Sequence, residues 1–198
     1  MWPGNTAVLI GGGPSAERTD WDMLHKAQQD GKCRVIACND AYKLGFPDVV
    51  LYGDYLWMQY HPEITEYVGV VCSCSPNKPD QEWVKWLRRH LRKGLSSKPF
   101  EVAWNHNTGA AAINFAVHFG VSRILLLGYD MKVGPHGRTN WYRKRKNPDS
   151  SPHFSHFEGF KAVAENLPRL FPDVKVINCT PDSALEHWPS MSLRKALG

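Results

Sequence analysis

"VLIGGGPSAERTDW", residues 8–21, decides how the rest of the chain is read. An apolar run ends in three glycines and a Gly-Pro-Ser, and an amphipathic stretch follows. A strand that feeds a glycine turn and then a helix is the opening unit of many nucleotide-binding α/β folds. Gly11-x-Gly13-x-x-Ala16 formally matches the dinucleotide fingerprint, and Asp40 follows roughly where a ribose-binding acid belongs. Two features oppose that cofactor. Pro14 has no N–H, so one phosphate-facing donor is missing. The helix begins near residue 19, late for a pyrophosphate seated on its N-terminus. No G-x-x-x-x-G-K-[ST] loop occurs, which excludes a P-loop NTPase.

Outward from this turn, short apolar runs alternate with helical patterns. Strands are expected at "TAVLIGG", 34–38, 48–52, 68–73, 100–104, 123–128 and 174–178. Helices are expected at 19–30, 80–93, 108–120, 156–171 and near 190–196. The 80–93 helix has the plainest pattern, with Asp80 as cap, Gly94 as stop and Trp83, Val84, Leu87 and Leu91 as its apolar stripe. "RILLLG" is apolar throughout, as a parallel strand covered on both faces should be. The pattern predicts an α/β fold: a Rossmann-like open, mainly parallel sheet with helices on both faces. Residues 132–152 form a polar stretch too long for an ordinary connection, and it is expected to be a lid over a single domain spanning 1–198.

Composition sets further bounds. The 198 residues are 42% hydrophobic and 22% charged, ordinary for a globular protein. No run approaches the ~18 apolar residues of a membrane span, and no signal-peptide pattern opens the chain, so a cytoplasmic protein is expected. Five scattered cysteines without a CxxC predict free buried thiols. The net charge of +5 is unevenly spread. Two acid-free windows, 83–100 and 131–148, hold half of the Lys and Arg. Clusters of this kind suit a polyanion, so DNA is a candidate partner through segments 85–98 and 132–146.

Ligands of open parallel sheets bind beyond the carboxyl ends of the strands. There the chain places Gly12, Gly13, Pro14 and Ser15 after the first strand, Asn39 and Asp40 after the second, and Asp54 after the third. Asn107, Thr108 and Gly109 follow the strand at 100–104, and Tyr129 and Asp130 follow the one at 123–128. Five strand ends with small or hydrogen-bonding residues define a candidate nucleotide site. Asn107-Thr108-Gly109 opens a helix whose free N–H groups attract phosphate. The lid adds cations and an aromatic ring, Arg138, Tyr142, Arg143 and Lys144, suited to a departing phosphate. His153 and His156 are candidate general bases, because imidazole titrates near neutral pH. No cysteine or acid completes a metal set around His153-x-x-His156, so no metal is expected.

"GGGPS", "CND", "YGD" and "NTGAAAINFAVHFGVSRILLLGYDM" together resemble two related groups over roughly residues 7–180. One is the bacterial lipooligosaccharide sialyltransferases, which use a CMP-sugar donor on a Rossmann-like sheet. The other is the archaeal-type hydroxymethylpterin diphosphokinases. Small phage-encoded proteins of unassigned role are also similar. The first resemblance implies that Gly13, Pro14, Ser15 and Asn39 border the donor nucleotide and that Thr108-Gly109 lies along it. It implies that Tyr142 meets the donor phosphate and that a lid-region histidine is the base.

The reading that follows is a glycosyltransferase with a UDP- or CMP-linked sugar as co-substrate and no other cofactor. A hydroxymethylated pyrimidine in phage DNA is a candidate acceptor. The alternatives are a magnesium-dependent pterin-type diphosphokinase, with Asp54 or Asp130 near the metal, and a non-catalytic nucleotide- or nucleic-acid-binding module. The sugar, the donor base and the oligomeric state stay open.

Overall fold

A computed structural model describes residues 1–141 and 154–198. β1 (Thr6–Ile10) is buried over its whole length, between β2 (Arg34–Cys38) and β8 (Arg123–Leu127). Beyond β2 lie β3 (Val49–Tyr52), β4 (Val70–Ser73) and the two-residue edge strand β5 (Lys85–Trp86). Beyond β8 lies β9 (Lys175–Asn178). The order is β5-β4-β3-β2-β1-β8-β9, and every pairing is parallel. Chain direction across the sheet reverses at β1, so the switch point lies between β1 and β8. Ile10 is in register with both Ala37 and Leu127, which brings the turns after β1, β2 and β8 out at one level.

Alternation along each strand explains the two-sided core. Ala7, Leu9, Ile36, Leu51, Ile124 and Leu126 face one side, against α3 (Thr108–His118) and α4 (Phe154–Leu170). Val8, Ile10, Val35, Val50, Leu125 and Leu127 face the other, against α1 (Trp21–Gln29) and α5 (Leu193–Leu197). This is the doubly covered parallel sheet predicted from the apolar strands. α3 is buried on nearly every residue from Thr108 to Val117, which Ala110, Ala111 and Ala112 allow by bringing its backbone close to the sheet. A short α2 (Trp57–Tyr60) was not expected from the sequence.

The predicted helix at 80–93 does not form. The segment makes β5 and then β6 (Arg88–His90), which pairs with β7 (Glu101–Ala103) in a separate two-stranded parallel sheet. "FEVAW" is therefore a strand, but outside the main sheet. Tertiary bonds override the helical pattern. Leu87 N–H donates to Ser73 O at 2.8 Å, Arg88 N–H to Phe100 O at 2.8 Å, and the Trp86 indole N–H to Ser75 O at 3.1 Å. Val84 and Leu87 are buried, whereas Leu91 of the supposed stripe is 74% exposed. Gly94, read as a helix stop, is left-handed at φ 98° and donates its N–H to Asn105 Oδ1 at 2.7 Å.

Of the expected lid, residues 132–141 are described. They return to the glycine turn: Trp141 donates its backbone N–H to Gly12 O at 2.9 Å and its indole N–H to Gly11 O at 3.1 Å. Among the described residues no helix is long and apolar enough to cross a membrane.

Candidate active site

A cleft of about 850 Å³ opens over the carboxyl ends of the strands. The turns after β1 and β8 form its floor. Gly11 N–H donates to Leu127 O and Gly13 N–H to Gly128 O, both at 2.8 Å. A Cβ on Gly13 would lie 2.0 Å from Asp130 Oδ2, and one on Gly11 would lie 2.6 Å from Gly128 O. The glycines are thus required by the approach of one turn to the other. Asp130 fastens the contact, accepting from Ser15 N–H at 2.9 Å and from the Ser15 hydroxyl at 2.7 Å. Pro14 and Ser15 do not line the cleft, whereas Gly11, Gly12 and Gly13 do.

Asn39 stands at the end of β2 in left-handed conformation, φ 52°. Its Oδ1 is buried and has no hydrogen-bond partner among the described residues. An orphaned acceptor in a cleft wall is the kind of group a ligand's N–H or O–H satisfies. His106 (φ 53°) and Met131 (φ 51°) also line the cleft in this costly conformation, which clusters at functional sites.

The far wall is the start of α3. Asn107 caps the helix, its side chain accepting from Ala110 N–H at 3.0 Å. The N–H groups of Thr108 and Gly109 precede the first intrahelical bond, so they are donors at the positive end of the helix. Tyr129 holds this end in place, donating its hydroxyl to Gly109 O at 3.2 Å. Burial pushes the Tyr129 phenol well above its ordinary range, so it stays a donor, and it pushes the neighbouring Cys38 thiol up to about 12.

A third wall was missed in the sequence. Asp40 Oδ1 accepts from the Trp57 indole N–H at 2.9 Å and lies 3.0 Å from His61 Nε2. His61 Nδ1 faces the Tyr42 hydroxyl at 3.2 Å and Glu63 Oε1 at 3.3 Å. Tyr42 donates to Glu63, and this bond is the main cause that holds the Glu63 carboxyl down at about 2. The only signal was an aromatic-rich run after the third strand, "YLWMQYHPE", which carries no spacing rule. Trp104 is a further addition: the Arg89 guanidinium lies 3.7 Å from its ring centre.

The fold relates the chain to known proteins. Its architecture is shared with glycosyltransferases. The MAf glycosyltransferase from Magnetospirillum magneticum AMB-1 superposes over 97% of this chain with a TM-score of 0.62 at 18% identity. The chain spans only 34% of that protein's length. The sialyltransferase CstII from Campylobacter jejuni, solved in complex with a substrate analogue, cytidine-5'-monophosphate, superposes over 96% of this chain and 86% of its own. The TM-score is 0.57 at 13% identity. No family model matches the sequence, and no curated protein matches it significantly. Neither similar structure is a pterin diphosphokinase or a DNA-modifying enzyme.

The structure gathers Gly12, Gly13, Asn39, Asp40, Asp54, Asn107, Thr108, Gly109, Tyr129, Asp130 and His156 around one cleft. It leaves Arg138 outside, paired with Glu17 at 3.1 Å. Tyr142, Arg143, Lys144 and His153 lie outside the described residues. The basic window 85–98 does not reach the cleft. Arg88 is paired with Glu101, Arg89 is spent on Trp104 and the carbonyls of Gly53 and Cys74, and Lys93 lies 3.9 Å from Glu158.

Proposed function

We propose that the protein is a glycosyltransferase whose cleft binds a nucleotide-activated sugar. The observation that carries this reading is one cleft at the switch point of the sheet, lined both by Asn39, whose buried Oδ1 has no partner among the described residues, and by the start of α3 with its open N–H groups. The nucleoside lies along Gly11–Gly13 and gives a hydrogen bond to Asn39. The phosphate sits on the Thr108 and Gly109 N–H groups, with Lys132 adding charge from the lid. This pre-set positive end stabilises the leaving phosphate as the sugar departs. His156 lines the cleft from α4 and is the general base that takes a proton from the acceptor hydroxyl. A Cβ on Gly159 would lie 2.8 Å from Asn105 Cβ and O, so the glycine lets α4 press onto the cleft rim and carry His156 there. The fold likeness to glycosyltransferases supports the reading.

The chain's single Asp-x-Asp triplet, Asp20-Trp21-Asp22, is tied up at the start of α1, where Asp20 accepts from Met23 N–H at 3.0 Å. It does not line the cleft, so transfer is proposed to proceed without a donor-bound metal. The test is turnover of a panel of CMP-, UDP- and GDP-sugars and, with a hydroxymethylpterin acceptor, of ATP, each with magnesium or with EDTA. Metal-independent turnover that falls about a hundredfold in His156→Ala, with nucleotide affinity kept, supports the assignment. Turnover only with ATP and magnesium moves the protein to the diphosphokinase class.

A further inference from the structure

We propose that the transferred sugar carries no carboxylate, and that Asp54 sets this selectivity. The inference rests on the nucleotide-sugar reading above and names the class of its donor. If the phosphate occupies the first turn of α3, the group bonded to that phosphate lies beside it. The end of β3 is the element in contact there. A Cβ on Gly53 would be 3.0 Å from Thr108 Oγ1 and 2.1 Å from the Trp104 ring, so β3 abuts both. Asp54 is the next residue, exposed and lining the cleft.

Its carboxylate makes no hydrogen bond and no ion pair among the described residues. Arg89, whose positive charge acts on Asp54, does not itself line the ligand space. It donates to Gly53 O and Cys74 O from beneath Trp104. The wall continues with carboxylates. Asp40 is held by Trp57, His61 and Lys43, and Glu63 by Tyr42 and His61. Those two are already hydrogen-bonded, whereas the Asp54 carboxylate lines the cleft with no hydrogen bond or ion pair among the described residues. A carboxylate so placed accepts hydrogen bonds from sugar hydroxyl or amino groups. Against a carboxylated sugar it sets like charge beside like charge within the cleft. The cleft therefore pairs a positive end for phosphate with a negative wall for a neutral or amino sugar.

Matched ligands isolate the effect, because the nucleotide is held constant. Affinities for UDP, UDP-glucose and UDP-glucuronate, GDP-mannose and GDP-mannuronate, and CMP and CMP-sialic acid are measured by calorimetry. The carboxylated member is expected to bind about tenfold more weakly than its neutral partner, or than the free nucleotide for CMP. Asp54→Asn, checked for an unchanged thermal midpoint, is expected to bring the two members within about twofold. Equal or tighter binding of the carboxylated sugar overturns the inference, as does a gap that survives in Asp54→Asn. Nucleotide binding without sugar discrimination overturns the inference alone. Failure of every nucleotide to bind overturns the donor reading as well.

Discussion

The Ser15 hydroxyl and the Ser15 N–H both donate to one carboxylate, that of Asp130, at 2.7 and 2.9 Å, across 115 positions of sequence. This pair, and not a bound phosphate, accounts for the geometry of the glycine turn. Asp130 is 4% exposed and both of its oxygens are engaged, so its place is that of a positioning residue under the cleft floor.

Removing the clamp is therefore expected to cost stability. Asp130→Ala strands two donors and should destabilise the fold by about 3 kcal/mol in urea unfolding, against about 1 kcal/mol for Asp130→Asn, which keeps one acceptor. Equal effects of the two would show that the bonds to Ser15 carry little.

Gly13 tests the same contact from the other side. Its φ is −63°, accessible to any residue, so alanine there meets only the steric clash with Asp130 and Gly128. Gly13→Ala should cost about 2–3 kcal/mol by overpacking. Gly31→Ala, left-handed at φ 75° in open space, should cost only about 1 kcal/mol of backbone strain. Chemical denaturation of the two variants gives the comparison.

The Tyr42–Glu63 bond should be visible in acid. The Glu63 carboxyl is lowered from its ordinary 4.5 to about 2, first by the Tyr42 hydrogen bond. Between those values the unfolded chain binds the extra proton, so stability is full above pH 4.5 and is lost as pH falls toward 2. Tyr42→Phe should flatten part of this slope, read as the difference in urea midpoint between pH 5 and pH 3. An unchanged slope would assign the acid sensitivity to other carboxyls. Because the Glu63 side chain is half exposed, the effect is modest.

All five cysteines are free and buried, and burial raises Cys33 and Cys179 to about 11 and Cys38, Cys72 and Cys74 to about 12. Thiolate is the reacting species, so the folded protein should resist a thiol reagent at pH 8 and release five equivalents in urea. Rapid labelling of one cysteine without denaturant would reveal a local opening.

Much of the architecture was legible before the structure. The apolar strands, the small residues that begin α3, and the polar residues at strand ends follow local rules, because a strand buried on both faces must be apolar and a sheet's ligands meet its carboxyl ends. Segment 80–93 shows where those rules fail. Its pattern is helical, yet Leu87 and Arg88 find strand partners in Ser73 and Phe100, and long-range pairing outweighs local propensity. His61 shows the other limit. No spacing rule marks it, since besides the nearby Glu63 its partners Asp40 and Tyr42 come from the end of another strand.

By itself, then, the sequence determined the layered α/β fold and the edge of the sheet where a ligand belongs. These depend on periodicity and on residue type, which are local properties. Only the tertiary structure decided what each polar residue does there. It turned Ser15 and Asp130 into a clamp, spent Arg89 on Trp104, left Asn39 Oδ1 without a partner among the described residues, and set Gly53, the residue before Asp54, against Thr108. A side chain's role follows from which of its hydrogen-bonding and charged groups are already satisfied, and that is settled only when distant strands meet.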